Sequence, residues 1–246
     1  MFRFLRPSGR RQLNITIAGA THQGKQRDHN EDAFVVIPAS LSAAVADGMG
    51  GLARGEVASR MVVDVLAEAL QQGQGTAEAL QDAHRRIRET SMTGTDRMGS
   101  TAVVLTIEGA RAMLHWVGDS RAYLWRDGAL KQVTKDHSFV EELIDAGAIS
   151  AHEAESHPNR NVLTRAVGIR DTMEIKVDAV KVDLQAGDCV LLCTDGLHGY
   201  LPQPAIVDCL KRGGSAKEIV ERLIERTLSD SEAGDNVTAV CAIVEG

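Results

Sequence analysis

The sequence predicts an α+β fold, a four-layer αββα sandwich in which two antiparallel β-sheets pack together and a pair of helices covers each outer face. The order of the predicted elements is the first observation, because it runs strands, two helices, strands, two helices, strand. Blocks of this kind do not alternate strand and helix, as a doubly wound parallel sheet would. The length of 246 residues allows one large domain or two small ones with a substantial core. A helical insertion, residues 135–168, interrupts the second half of the pattern.

The first block consists of three short apolar runs and two amphipathic segments. The apolar runs are rich in β-branched or small residues and predict strands at residues 15–21, 33–37 and 41–46. The amphipathic segments, residues 55–71 and 76–91, predict helices, of which the first ends before Gly73 and the second has Thr76 as its N-cap.

The second block returns to strands and leads into the insertion. Strands are predicted at residues 100–107, 112–117, 122–126 and 129–133, with Asp127 and Gly128 forming a tight hairpin turn between the last two. Within the insertion, Ser138 with Glu141 and Ser150 with Glu153 form capping-box patterns that predict two short helices. Long irregular segments of this kind are often functional.

The last third of the chain predicts three strands and two helices. The strands are expected at residues 174–182, 189–194 and 236–244, and the helices at residues 203–211 and 215–228. Ser215 and Glu218 form a further capping box at the start of the second helix.

Composition and charge exclude several classes of function. The formal net charge of -7 argues against nucleic acid or an anionic membrane surface as a partner. No apolar stretch approaches the ~20 residues that a membrane helix needs. The first 12 residues carry four arginines but no apolar core, so they are expected to be a basic leader rather than a secretory signal, with docking to an acidic partner as the alternative.

The four cysteines, Cys189, Cys193, Cys209 and Cys241, predict a cytoplasmic protein. Their spacing matches no zinc-binding pattern, and Cys189 and Cys193 fall on one face of an apolar strand. We therefore expect buried, reduced cysteines that serve packing.

Four aspartates predict a metal site. Asp47, Asp119, Asp195 and Asp235 each stand at an end of a predicted strand, next to Gly or Asn. Burying an unpaired carboxylate costs several kcal/mol, and four of them repel one another, so a shared cation is expected. Oxygen-only ligands favour a hard divalent ion, Mg²⁺ or Mn²⁺, over zinc.

Five motifs together resemble one known family. Arg27 opens Arg-Asp-His-Asn-Glu-Asp, and the aspartates lie in Asp-Gly-Met-Gly-Gly (47–51), Gly-Asp-Ser-Arg (118–121), Thr-Asp-Gly (194–196) and Gly-Asp-Asn (234–236). In this order, the set resembles the metal-dependent protein phosphatases of type 2C, the PPM superfamily, in their compact bacterial form. The resemblance covers residues 15–244 and implies a single catalytic domain, residues 13–246, after the leader.

The resemblance implies a role for each matching residue. Asp47 would bridge two ions, and Asp195, Asp235 and the Gly48 carbonyl would be further ligands. Glu31 and Asp32 would act through metal-bound water, and Asp119 would support a third, weaker ion. Arg27 would hold the substrate phosphate. Residues 135–168 would form the mobile flap beside the site. A water bridging two ions ~3.5–4 Å apart would attack phosphorus directly, and a guanidinium offers phosphate a bidentate, always-charged contact.

Several other residues are expected to be structural. Asp127 and Asp188 are interpreted as ordinary turn residues, and Arg121 as a partner of nearby acids. The histidines are scattered, and His22, His137, His157 and His198 are each expected to be structural. Met49 stands where some family members carry a histidine proposed as general acid, so a metal-bound water is predicted to protonate the leaving group.

The predicted function is that of a monomeric, cytoplasmic Mg²⁺/Mn²⁺-dependent phosphatase that removes phosphate from Ser or Thr of proteins and opposes a Ser/Thr kinase. A first alternative is a phosphatase of small phosphoserine regulators in sigma-factor control. Such enzymes usually carry sensor domains, for which this chain has no room. A second alternative, an inactive binding module, is disfavoured because every matching metal acid is present.

Overall fold

The computed structural model describes residues 13–50, 54–92, 97–169, 173–230 and 233–245. Its strands are β1 (Asn14–His22), β2 (Asp32–Ile37), β3 (Ser42–Gly50), β4 (Met98–Ser100), β5 (Ala102–Glu108), β6 (Arg111–Val117), β7 (Arg121–Arg126), β8 (Ala129–Gln132), β9 (Asp178–Asp183), β10 (Cys189–Cys193) and β11 (Val237–Glu245). Its helices are α1 (Arg54–Gln71), α2 (Thr76–Met92), α3 (Phe139–Asp145), α4 (Ala151–Glu155), α5 (Asp195–His198), α6 (Gln203–Lys211) and α7 (Ala216–Asp230).

The strands form two antiparallel sheets, as the sequence predicts. One sheet has the order β1-β11-β10-β7-β8 and the other the order β2-β3-β5-β6-β9, with β4 pairing to the end of β3. Helices α1 and α2 pack on the second sheet, and α6 and α7 pack on the first. The four-layer αββα sandwich is therefore confirmed.

Three apolar cores hold the layers together. The central core lies between the two sheets and includes Leu105 and Leu114 from one sheet and Val190 and Leu192 from the other. The two outer cores lie under the helix pairs, and all four cysteines are buried without a disulfide bond in the core regions around the first sheet. No helix within the described ranges is both long and apolar enough to cross a membrane.

The insertion folds as two short helices on a narrow base. Ser138 caps α3 by accepting a hydrogen bond from the Glu141 N–H, and Ser150 and Glu153 form the complete reciprocal capping box of α4. An isolated bridge between Ser138 and Leu163 closes the base of this segment. The leader at residues 1–12 lies outside the described residues.

Several predicted boundaries were wrong, and two of them concern the site. Asp47 is not at a strand end, because β3 continues to Gly50 through its pairing with β4, which ends before Thr101. Asp195 opens a short helix, α5, that the sequence did not predict. The strand predicted from residue 174 begins only at Asp178, and Thr76 is the first residue of α2 rather than its cap.

Candidate active site

One cavity of about 690 Å³ brings the predicted site residues together. Its walls come from the end of β3, the start of α5, the loop before β11, the turn between β6 and β7, and the insertion. The residues predicted from the sequence that line it are Arg27, Glu31, Asp47, Gly48, Asp119, Asp195 and Asp235. Asp32 lies behind this wall and is 7% exposed as a residue.

Asp32 and Asp47 are directly paired residues of β2 and β3. The Thr194 hydroxyl donates a hydrogen bond of 2.8 Å to the Asp32 carboxylate, which ties the second sheet to the first. The backbone of Asp47 is held by Thr101, whose hydroxyl accepts from the Asp47 N–H at 2.9 Å and whose N–H donates to the Asp47 carbonyl at 2.8 Å. These contacts fix the backbone of Asp47 where the residue lines the cavity.

Gly48 is required by close packing. A Cβ atom at this position would lie 2.0 Å from the carbonyl oxygen of Gly55 in the first turn of α1. The Gly48 N–H donates to the Glu31 carbonyl at 3.0 Å, so β3 and the segment before β2 approach each other here. Because glycine has no side chain, α1 can pack tightly against the wall of the cavity at this position.

Asn236 organises the loop that carries Arg27, and the sequence interpretation did not single it out. Its side-chain amide donates 2.8 Å hydrogen bonds to the carbonyls of Gln23 and His29, and its side-chain oxygen accepts from the Glu31 N–H at 2.8 Å. Thr101 and Thr194 were missed as well. The signal for Asn236 was its place directly after Asp235, whereas a lone threonine gives no comparable signal.

Arg27 stands at the mouth of the cavity. Its guanidinium donates a 2.9 Å hydrogen bond to the Asp235 carboxylate, and its side chain is 50% exposed. An arginine that is paired on one side and open to solvent on the other can contact an anion at the cavity entrance.

The turn at Gly118–Arg121 has a defined partner for each of its members. His137 accepts from the Gly118 N–H, and Ser120 shares a 2.7 Å hydrogen bond with Thr101. Arg121 is not at the cavity, because it forms a bidentate pair with Asp136 at 2.7–3.0 Å, in agreement with its predicted structural role. The Asp119 carbonyl accepts from His198, and the residue lines the cavity.

The carboxylates raise one another's pKa values. Burial, together with Asp195, Asp32 and Asp119, raises the pKa of Asp47 well above its usual range. Burial and Asp235 raise the pKa of Asp195. Burial and neighbouring acids, chiefly Asp195, raise the pKa values of Asp32 and Asp119 to about 7. The cavity wall therefore concentrates more negative charge than its own side chains compensate.

These residues fit hard divalent cations in chemistry and charge. The donors are carboxylate and carbonyl oxygens, and the Asp195 carboxylate contributes to the raised pKa of Asp47, a repulsion that a cation between them would relieve. Within the described ranges, however, no three His, Cys, Asp or Glu side chains form a ready-made cage. An ion would therefore draw the carboxylates together or complete its coordination with water.

No histidine is among the described residues that line the cavity, whereas Met49 is. His137 and His198 are engaged in hydrogen bonds with the backbone of the Gly118–Arg121 turn. The described walls thus offer carboxylates, backbone groups and arginines, but no imidazole acid.

Comparisons with known proteins agree on one family. A family model described as protein phosphatase 2C matches residues 18–236. The serine/threonine phosphatase Stp of Listeria welshimeri is 36% identical over 236 residues, 89% of this chain and 92% of that protein. The serine/threonine protein phosphatase PstP of Mycobacterium tuberculosis is 37% identical over 240 residues, 94% of this chain and 45% of PstP.

A solved structure gives the same result for the fold. The catalytic domain of PstP in complex with two manganese ions superposes with a TM-score of 0.83 and 33% identity, over 95% of this chain and 100% of that domain. The chain therefore belongs to the protein phosphatase 2C family and is a protein serine/threonine phosphatase.

Proposed function

We propose that this enzyme hydrolyses phosphoserine and phosphothreonine in proteins with two Mg²⁺ or Mn²⁺ ions held in the carboxylate cavity. The observation that carries the proposal is the position of Arg27, a half-exposed cation at the mouth of a cavity that Asp47, Asp195 and Asp235 line. One part of the site thus suits a phosphate and the other suits the ions. The two manganese ions of the PstP catalytic domain support the kind and number of ions.

The donor atoms suggest a division of labour. The proposed direct ligands are the carboxylates of Asp47, Asp195 and Asp235 and the Gly48 carbonyl, with Asp119 supporting a third, weaker ion and with Glu31 and Asp32 acting through water. When bound, two such ions neutralise phosphate charge and lower the pKa of a water for in-line attack on phosphorus. No covalent phosphoenzyme is needed.

Arg27 would hold the substrate by its phosphate. A guanidinium stays charged at any physiological pH and can donate two parallel hydrogen bonds to phosphate oxygens. The contact with Asp235 orients the side chain before substrate binds, because one guanidinium nitrogen is held at 2.9 Å. This arrangement lowers the entropy that Arg27 loses on binding.

The leaving alkoxide would take its proton from water. The described cavity walls contain no histidine, and Met49 cannot donate a proton. Turnover of an alkyl phosphate should therefore survive each single His→Ala change in a folded protein. A histidine whose loss abolished alkyl phosphate turnover but spared an aryl phosphate would contradict this assignment.

The central experiment measures phosphate release from a phosphothreonine peptide with Mn²⁺ and with a chelator. Wild type should be active only with Mn²⁺, and Asp235→Asn should lose activity by at least about 100-fold, since outer partners alone change metal sites by 10–100-fold. Asp208→Asn, the same change on the exposed face of α6, is the matched control and should behave as wild type. Metal-independent activity, or full activity of Asp235→Asn, would overturn the proposal.

The substrate is proposed to be a protein phosphorylated by a cytoplasmic Ser/Thr kinase. The disulfide-free, buried cysteines are consistent with a reducing compartment. A small phosphoserine regulator of sigma-factor control is the second candidate. Assaying an autophosphorylated Ser/Thr kinase and such a regulator side by side distinguishes the two, because a preference in kcat/KM for the regulator would reject the kinase reading.

A further inference from the structure

His137 contacts the Gly118–Arg121 turn from the base of the flap, residues 135–168. The Gly118 N–H donates a 3.0 Å hydrogen bond to His137 Nδ1, and the His137 N–H donates to the Gly118 carbonyl at 2.9 Å. Both peptide groups of one residue are thereby fixed by one partner. The imidazole is 7% exposed and stacks on Trp116, with ring centroids 6.1 Å apart and planes at 16°.

The hydrogen-bond pattern assigns the tautomer of this histidine. Because Nδ1 accepts from the Gly118 N–H, the proton of the neutral ring lies on Nε2, which donates to the Asp178 carboxylate at 3.1 Å. Nε2 also lies 3.0 Å from the guanidinium of Arg165, which pairs with the same carboxylate at 3.2 Å. Burial and the nearby Arg165 lower the pKa of His137, in agreement with a neutral ring whose Nδ1 accepts from Gly118. Asp178 therefore holds the imidazole in the one tautomer that can accept from Gly118.

The turn has little freedom to move on its own. Gly118 has a φ of +105°, and a Cβ atom there would lie 2.6 Å from Thr101. The adjacent Asp136 pairs with Arg121. Two consecutive residues of the flap base, Asp136 and His137, therefore bind the last and the first residue of the turn. Asp119 lies between these two points and lines the cavity.

The flap base joins the same contacts. The Thr164 N–H donates to the His137 carbonyl at 2.9 Å, where the chain leaves the flap. Arg165, which lines the cavity, contacts Asp178 at 3.2 Å. His137, which lies at the start of the flap, therefore contacts both the end of the flap and the turn that carries Asp119.

We propose that His137 is a positioning residue that fixes the Asp119 carboxylate for metal binding from the base of the flap. The proposal rests on the proposed function, in which Asp119 supports the weaker ion. His137 would act only through the geometry of the Gly118–Asp119 peptide, and it would touch neither the ion nor the substrate. Outer residues that orient a ligand typically change metal affinity by 10–100-fold.

Two substitutions separate the two ring nitrogens. The side-chain oxygen of Asn reaches the position of Nδ1, so His137→Asn keeps an acceptor for Gly118 and loses the link to Asp178. The longer Gln reaches the position of Nε2, so His137→Gln keeps the link to Asp178 and loses the acceptor. Mn²⁺ binding to each full-length variant is measured by calorimetry, with thermal unfolding in chelator as a check of folding.

In His137→Gln, the Kd of the weakest Mn²⁺ site should rise on the order of tenfold. In His137→Asn, this Kd should stay within about twofold of the wild-type value. In an Asp119→Asn background, His137→Gln should cause no further change, because its effect passes through Asp119. Equal effects of the Asn and Gln variants, or a further loss in the Asp119→Asn background, would overturn the proposal.

A failed proposal can be told apart from a failed function. If Asp119→Asn itself left Mn²⁺ binding unchanged, the metal role of Asp119 would be wrong. If Asp119→Asn weakened binding and His137→Gln did not, only the positioning role would be wrong. Should the His137 variants not fold, Asp178→Ala removes the acceptor of the His137 Nε2–H at a position whose side chain is 30% exposed. This change should weaken Mn²⁺ binding less than His137→Gln does, and it should have no effect in the Asp119→Asn background. An unchanged Mn²⁺ affinity would overturn the proposal.

Discussion

Asp32 and Asp47 face each other as a directly paired couple on neighbouring antiparallel strands. Like charges placed opposite each other destabilise a sheet. Asp32 receives hydrogen bonds from threonine hydroxyls, but burial and nearby carboxylates still raise its pKa to about 7. The fold thus keeps a repulsive pair at the cavity, with Asp47 in its wall and Asp32 directly behind, which is unfavourable for stability and useful for binding cations.

Divalent ions should therefore stabilise the folded chain. At a free Mn²⁺ concentration 100 times the Kd, each site adds about 2.7 kcal/mol, and 1 kcal/mol corresponds to roughly 2–4 °C in Tm for a domain of this size. Thermal unfolding in chelator and in Mn²⁺ measures the difference. Asp208→Asn should keep the full rise and Asp47→Asn should lose most of it. An equal rise in both variants would show that the ions bind elsewhere.

The metal-free protein should have a pH dependence set partly by Asp32. Its folded pKa of about 7 lies above the ~3.9 of an unfolded aspartate. The folded state therefore binds more protons between these values, and its stability falls as pH rises through that window. The lowered pKa of His137 acts oppositely, because it removes stability as pH falls below about 6.5.

Comparing the stability of wild type with that of Asp32→Asn isolates the contribution of the Asp32 carboxylate to the pH dependence. In chelator, the stability of wild type relative to the variant should fall from pH 5 to pH 7.5, by at most about 1.4 kcal/mol per pH unit. Urea unfolding at several pH values measures it. A difference that stayed constant or grew with pH would show that Asp32 is ionised throughout.

Thr194→Val should destabilise the protein by about 1–3 kcal/mol, because the change leaves buried polar groups unsatisfied. The Thr194 hydroxyl donates to Asp32 at 2.8 Å and accepts from the Thr238 N–H at 3.1 Å. Thr227→Val, an equally buried change in α7, is the control for stability. Only Thr194→Val should also alter Mn²⁺ affinity, and equal Mn²⁺ affinities in both variants would contradict the link through Asp32.

Asn236→Ala should raise the KM for a phosphopeptide at saturating Mn²⁺ by about tenfold, or roughly 1.4 kcal/mol. The variant loses three hydrogen bonds that hold the loop of Arg27. Steady-state kinetics measure the change. Asn14→Ala, an exposed hydrogen-bonding position on β1, should leave KM unchanged. An unchanged KM in Asn236→Ala would mean that the loop keeps its shape without the amide.

The fold and most of the site were predictable because local patterns agree with the global arrangement. Apolar periodicity located the helices and strands, and the block order excluded a parallel sheet. Strand ends next to Gly or Asn pointed to four of the cavity acids. Asp47 was misplaced within its strand because the pairing of Gly48 with Ser100 depends on chain segments 52 positions apart, which no local pattern records.

Asp188 shows the same limit more clearly. The sequence interpretation treated it as an ordinary turn residue, yet its side chain is 1% exposed. It accepts hydrogen bonds from Arg126 at 2.8 and 2.6 Å and from the Gln185 N–H at 2.8 Å. The contact arises because Cys189 pairs with Trp125 across β10 and β7, which brings together residues 62 positions apart. Only the sheet order reveals it.

The Arg126–Asp188 pair should consequently contribute far more to the free energy of unfolding than an exposed ion pair does. Arg126→Met leaves the Asp188 carboxylate buried without its cation, which should reduce the free energy of unfolding by about 3 kcal/mol. Arg111→Met, the same change in a pair whose side chains are 58% and 83% exposed, should cost at most about 1 kcal/mol. Urea unfolding compares the two variants. Equal losses would show that water reaches Asp188, since only a desolvated carboxylate depends so strongly on its partner.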